Sequence, residues 1–496
     1  MTLRTADWRD NRPEYHVRVF FGLLMLLVWA IILIVVRNDR LTEPDLQWHI
    51  KTGEWMWRNH AVPVVDSFSH THAGEPWIAK EWLSQVLLYL AYDTLSWNGL
   101  MLISLAAFGT AVGVLYWVLS RDLAPIPAAL ACMVGLFLAG PTYTIRPHLL
   151  TLVLLVLWTY QLFAASRRGS APHFGWLAVI ALWANLHAAF TVGLVIAVFA
   201  FLDFLERTRL RDRDALVKWI IFLGLCPLVT LLHPYGWNAI LATWTVMGPN
   251  ASVPFIDEWR PFNAQTHYYH HGAMLGALFL ALVTGFRLGF ARTALIVLLL
   301  HFYLTHIRFM FFLFPVLVIV VAPEIARQFP RVSVQNWISQ QRDPLEKLMN
   351  TWFRPLALAL GGAVALIFVL QATVLRTSPG PDYTIADAIN YAKSNGITGN
   401  VMNHYNFGGP LILYGIPSFI DGRTDQLFLG EFVKTFALGP KTRETLASAL
   451  DEYKIQWTIF PPKDRRAVLL DKMPEWRLIY SDPHAAIHIR QKDPEG

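Results

Sequence analysis

Apolar runs of about 17–25 residues are long enough to cross a bilayer as helices, and they occupy most of this chain. About eleven can be read, at 18–36, 97–119, 123–141, 148–165, 172–186, 189–205, 216–233, 272–288, 293–306, 309–322 and 355–375. In hydrocarbon a backbone amide finds its partner only inside a helix or a closed barrel, so such runs leave a helical membrane fold. Composition agrees. Of 496 residues, 55% are hydrophobic and 15% are charged, against about 25% charged in soluble proteins. The apolar fraction excludes disordered and fibrous classes. Cys132 and Cys226 are the two cysteines, both in apolar runs, which excludes a disulfide framework or a cysteine-rich metal site. The first run is too long for a cleaved signal peptide and no small-x-small site follows it, so it is expected to stay as a helix.

Basic residues then orient the spans. With the N-terminus in the cytoplasm, the segments on that side carry Arg4, Arg9, Arg12, Arg18, Arg121, Arg167, Arg168, Arg207, Arg209, Arg211, Arg213, Arg287, Arg292, Arg327 and Arg331. The short connections on the other side hold little beyond Arg146, Arg260 and Arg308. Topology thus accounts for the net charge of +6, and no nucleic-acid partner is implied. The expected organisation is a transmembrane domain over 1–375, with a long first external loop at 37–96, followed by a soluble α/β extracytoplasmic domain at 376–496. The expected location is the plasma (inner) membrane.

The first loop is patterned. From Glu43 to Arg58 it reads as an amphipathic interfacial helix, with Leu46, Ile50 and Trp57 on one face. Asp45 and His49 are four residues apart and so share a face. Asp45 reads either as a charge favouring the positive helix end or as a catalytic acid. A second amphipathic segment runs from about 77 to 95. Glu81 lies early in it, where a helix-end charge is the plainer reading and a substrate contact the other.

Unusual polar residues collect at helix ends: Arg146 and His148 in TIRPH, Asn185 and His187 in WANLHAAF, His233 in LLHPYGW, Glu258 and Arg260 in IDEWRPF, His306 and Arg308 in THIRF. Under this topology all fall at the external face. Singly, each has a structural reading: snorkelling for the arginines, a satisfied core for His187, a cap for His233. Jointly, arginines, histidines and a carboxylate on one face fit an anionic, phosphate-bearing substrate. There is no HExxH, Walker A loop, GxGxxG or GxSxG, which argues against zinc hydrolysis, nucleotide binding and a serine nucleophile.

These segments resemble the GT-C superfamily of polytopic glycosyltransferases. EPDLQWHIKTGEWMWRN, VPVVDSFSHT and GEPWIAKEWLSQVLLYL resemble its first loop. TIRPHLLTL, LWANLHAAF, LHPYGW, FIDEWRPF and HIRFMFFLFPV resemble its helix ends, and VMNHYNFGGPLILYG and SFIDGRTDQL its terminal domain. The resemblance implies transfer of a sugar, with inversion, from a polyprenyl-phosphate-type lipid donor to a glycan, lipid or protein acceptor at the outer face. It implies that Asp45 is the catalytic acid of the first loop, a general base on the acceptor. It implies that Arg146 and Arg308, with Arg260 as a third candidate, hold the donor phosphate. His49, Glu81, His148, His187 and Glu258 complete the expected substrate-binding set. Many relatives carry paired acids in this loop. Here Leu46, Gln47, Trp48 and His49 follow Asp45, and Glu43 with Asp45 leaves only E-x-D. No cofactor is identified and a divalent metal is not indicated.

In the tail, a helix is expected at 384–395 and strands at Leu411–Tyr414, Ser418–Ile420, Trp457–Phe460, Leu478–Tyr480 and Ala485–Ile489. Helices are expected at Arg443–Tyr453 and Ala467–Met473. The plain reading of this domain is a lid, docking surface or stability element. The competing functions are a transporter or flippase, and a polymerase or ligase of lipid-linked saccharides. Transporters place polar sites near the midplane of repeated halves, whereas these polar groups gather at one face.

Overall fold

The structure, a computed structural model, describes residues 13–140, 143–247, 259–339, 344–436 and 442–491. A helix stands on each apolar run. In order they are α1 (Pro13–Val35), α2 (Asp45–Asn59), α3 (Trp82–Leu119), α4 (Pro125–Ala139), α5 (Leu152–Arg167), α6 (Leu177–Leu186) and α7 (Phe190–Thr208). Then come α8 (Arg213–Thr230), α9 (Trp237–Met247), α10 (Tyr268–Thr284), α11 (Phe290–Thr305), α12 (Met310–Gln328), the short α13 (Val334–Ser339) and α14 (Pro344–Thr373). Among the described residues, five stretches are long and apolar enough to cross a membrane: Tyr15–Val35, Trp82–Leu119, Pro147–Arg167, Ile307–Gln328 and Thr351–Thr373. The apolar helices α4, α11 and the Phe174–Leu186 stretch are shorter. The Pro147–Arg167 stretch, which contains α5, is central and 78% buried, while the Thr351–Thr373 stretch lies at the rim and is 6% buried. Phe279, Leu282 and Val283 of α10, Phe290 of α11 and Leu358 of α14 are exposed, apolar surface suited to lipid. At the ends of α5, α7, α11 and α12, fully buried Arg292 clamps Asp203 (2.9 Å). Ser166 donates to Asp203, and Arg207 joins Asp203 to Glu324.

α3 is two arms. Leu95 and Ser96 leave helical geometry, and Ser96 takes a φ of 52°, a conformation that disfavours a side chain. A Cβ on Gly99 would lie 1.8 Å from the Ala91 carbonyl, so glycine lets the arms close on each other. The expected end of the first loop coincides with this break.

α2 packs along the first arm of α3; a Cβ on Gly53 would meet the Gln85 carbonyl at 2.1 Å. Leu46, Ile50 and Met56 are buried, while Trp57, expected on the buried face, is half exposed. The start of α2 has a second partner. A tail helix, Gly408–Leu413, lies across the start of α2, and a Cβ on Gly409 would meet the Pro44 carbonyl at 2.1 Å. α2 is therefore clasped between two elements rather than laid on an open interface.

The tail forms a four-stranded sheet in the order β1-β2-β4-β3: β1 (Val401–Asn403), β2 (Trp457–Phe460), β3 (Trp476–Ser481) and β4 (Ala486–Arg490). β1 and β2 are parallel and the other pairs antiparallel. Helices Ala386–Ser394, Arg443–Glu452 and Arg465–Leu470 stand close to their expected places. The strand expected at Leu411–Tyr414 is instead part of the Gly408–Leu413 helix, because two glycines permit close packing there. β1 was not anticipated; it is three residues long. Ser418–Ile420 does not join the sheet. Ser418 bridges Ser69, accepting from the His70 amide and donating to the Phe68 carbonyl, 3.0 Å each. Trp48, Phe68 and Trp77 of the first loop share a core with Met402, Phe419, Leu446 and Leu470 of the tail.

At the centre of this joint, Arg423 lies between Asp421 (2.7 Å) and Asp66, all three buried. The tail's arginine therefore serves the joint and does not face the membrane site. The guanidinium holds the Asp421 carboxyl below its usual range against the opposing effect of burial.

Candidate active site

The polar helix ends, the first loop and the tail enclose one cavity of about 170 Å³. It is lined by Asp45, His49, Glu81, Arg146, His148, His187 and Arg308, seven of the nine residues expected from sequence. Arg260 lies outside the lining; its side chain is exposed and its carbonyl accepts from the Ile307 amide (3.0 Å). Glu258 lies outside the described residues.

Asp45 is the first residue of α2, after Pro44, which suits a helix start. Its Oδ1 accepts from Trp48 Nε1 (3.0 Å) and its Oδ2 pairs with Arg146 Nη2. Arg146 also meets Glu43 Oε1 at 2.9 Å. Arg146 and His148 are delivered by the tight 3₁₀ turn Pro147–Thr151 ahead of α5. Across the cavity, Arg308 stands in the 3₁₀ turn before α12, over the ring of Trp259 at 4.6 Å. Each arginine comes from a turn at a helix start, so its charge faces the cavity instead of hydrocarbon.

Glu81 sits at the N-cap of α3 but makes no side-chain cap bond. Its carboxylate turns into the cavity, 3.2 Å from His187 Nε2 and 3.8 Å from His49 Nε2. Burial pushes its carboxyl up to about 7, against the nearby Lys80. Glu81 thus stands at the helix end, as its plainer reading has it, with its carboxylate facing the cavity. Burial, then the charges of Arg146, Lys80 and His148, hold His49 well below its usual range, so it is neutral. Gln85 Nε2 lies 3.0 Å from His49 Nδ1, and the Ala189 amide donates to His187 Nδ1 (3.1 Å). Asn185 and His233 support the site from behind: Asn185 accepts from Trp82 Nε1 (2.8 Å), and His233 Nε2 lies 3.3 Å from the Lys80 carbonyl.

The sequence reading missed Lys80, paired with Asp425, and the whole tail wall of Tyr405, Gly422, Asp425 and Gln426. Gln426 holds the loop through Ile78, accepting from its amide (3.1 Å) and donating to its carbonyl (3.0 Å). A Cβ on Gly422 would lie 1.7 Å from Asp45 Oδ1. The only available signal was FIDGRTDQ, whose partners lie more than three hundred residues away. Among the described residues, no three histidine, cysteine or carboxylate side chains converge as metal ligands. Glu43 and Asp45, the paired acids nearest that role, both face Arg146.

No family model matches the sequence, and no curated protein matches it. The fold does have counterparts. It superposes on the apo oligosaccharyltransferase of Archaeoglobus fulgidus with a TM-score of 0.55 and 12% identity, covering 95% of this chain and 75% of that one. It superposes on ArnT from Cupriavidus metallidurans bound to undecaprenyl phosphate with a TM-score of 0.52 and 13% identity, covering 95% and 98%. Both neighbours are membrane glycosyltransferases of the GT-C superfamily, and the chain shares their fold.

Proposed function

We propose that the protein transfers a sugar from a polyprenyl-phosphate-type lipid to a hydroxyl-bearing glycan, lipid or protein acceptor. In this reading the N-terminus is cytoplasmic and the site and tail lie outside the membrane. The carrying observation is the convergence of Arg146, Arg308 and Lys80 with the carboxyls of Asp45 and Glu81 on one cavity at the helix ends. Guanidinium groups grip a phosphate through paired N–H donors, and in a water-poor cavity that grip strengthens as charge builds on the leaving oxygen. Arg308 and Arg146 therefore bind the donor phosphate and stabilise its departure. Asp45, aimed by Trp48 and Arg146, aligns the acceptor hydroxyl and takes its proton, which makes the displacement in-line and inverting. His148 shapes the pocket beside Phe311, at 4.9 Å between rings.

The test is single-turnover transfer from a panel of labelled polyprenyl-phosphate sugars, with purified protein in lipid and Asp45→Asn alongside. Asp45-dependent transfer of label is expected, and the variant should still accumulate in the membrane. Full activity in the variant would remove Asp45 from its role. Donor binding without transfer by the wild type would favour transport or polymerisation instead.

A further inference from the structure

Among the described residues, three carboxyl groups line the cavity, and they are not equivalent. Asp45 pairs with Arg146, and Asp425 pairs with Lys80. Glu81 has no arginine or lysine within 4 Å among the described residues. Its neighbours at that range are His187 and His49. The hydrogen bond to His187 fixes its tautomer: the Ala189 amide donates to its Nδ1, while Gln85 Nε2 lies 3.0 Å from Nδ1 of His49. A neutral imidazole that accepts at Nδ1 carries its hydrogen on Nε2. His187 thus turns its Nε2–H toward Oε1 of Glu81, which leaves Oε2 as the oxygen to carry a proton, and both rings, held below their usual range by burial, bring no full charge. A buried carboxyl with neutral neighbours keeps its proton more readily than one facing a cation.

We infer that Glu81 is the proton donor to the departing phosphate oxygen, the acid to which Asp45 is the base. The inference rests on the sugar-transfer reading above. Two carboxyls whose surroundings separate their affinities for protons divide the acid and base roles between them. The other charged groups facing this end of the cavity are Lys80 and Asp425 beside it, Arg308 from the turn before α12, and Arg146 and His148 from the turn before α5. A phosphate held by those cations brings negative charge toward Glu81, which favours its protonated form further.

In the step, the acceptor oxygen bonds to the anomeric carbon as the bond from that carbon to the phosphate oxygen breaks. The acceptor's proton passes to Asp45 and the proton of Glu81 passes to the leaving phosphate. After release, Asp45 returns its proton to solvent and Glu81 takes one up, so the cycle closes with no other reactant.

Two measurements on the full-length protein in lipid test this, each with Glu81→Gln. The first is the pH dependence of transfer. The wild-type rate is expected to fall about tenfold per pH unit above about 7. In the variant that alkaline limb should vanish and the rate at neutral pH drop roughly 10²-fold, with donor binding changed less than about threefold. A packing role for Glu81 would not remove a pH limb. An unchanged rate, or a retained limb, overturns the inference. The second measurement is the infrared carboxylic-acid band with a polyprenyl phosphate bound, at about pH 6. A protonated band absent from Glu81→Gln supports the inference; if the band is present and yet no donor on the panel turns over, the failure lies with the sugar-transfer reading on which the inference rests. A Glu81 already ionised under those conditions overturns it.

Discussion

Gly422→Ala places one methyl group against the carboxylate proposed as the base. The new Cβ would lie 1.7 Å from Asp45 Oδ1, 2.6 Å from its Cγ and 3.0 Å from Trp48 Nε1. Atoms at such distances cannot coexist, so Asp45 or the tail loop must yield by roughly 1.5 Å. The loop is poorly able to yield. The next residue is Arg423, clamped by Asp421 and Asp66, and Gln426 is tied to Ile78. Asp45 is therefore expected to turn away, losing the Trp48 bond and its aim at the acceptor. Misplacing a reacting group by about 1 Å costs roughly 10²-fold in rate. Transfer should fall by about that factor, equivalent to roughly 2.7 kcal/mol of barrier. The assay is single-turnover transfer in lipid, with donor binding and the unfolding midpoint measured in parallel. Gly361→Ala is the control: its Cβ meets nothing within 4 Å on α14, so it should be silent. Wild-type turnover in Gly422→Ala would refute the view that the tail fixes Asp45.

Arg308→Met removes the guanidinium stacked on Trp259 and should weaken binding of a polyprenyl phosphate by about 10-fold or more, with the unfolding midpoint little changed, as read by lipid titration. Arg423→Met strands two buried carboxylates and should cost about 3–5 kcal/mol, seen in thermal unfolding in detergent. The pH response should also change sign. In the wild type, Asp421 is held below its ordinary range, so its contribution is present above about pH 4 and lost as pH falls through the depressed value. Without the guanidinium, burial raises the Asp421 carboxyl, and mild acid should stabilise the variant.

The apolar helices, the end of the first loop near 96 and the tail's main helices could be read along the chain because each depends on residues close in sequence. A long apolar run specifies a helix by composition alone. The gathering of Arg146, His148, His187 and Arg308 was legible for the same reason: each marks a helix end, and topology puts those ends on one face. The orientation of Glu81 was not legible. Residues before α3 carry no periodic signal that says whether a carboxyl caps the helix or turns away, and packing of α2 against α3 with His187 decided it. Nor was the tail's part in the site. Gly422 against Asp45, Lys80 with Asp425 and Arg423 with Asp66 join segments more than three hundred residues apart. Such contacts leave no local pattern, because their favourable energy arises only once both surfaces are folded and water has left between them. Sequence determined a membrane helix bundle with one charged end; tertiary packing decided that the tail roofs that end and that one buried carboxyl there has, among the described residues, no lysine or arginine within 4 Å.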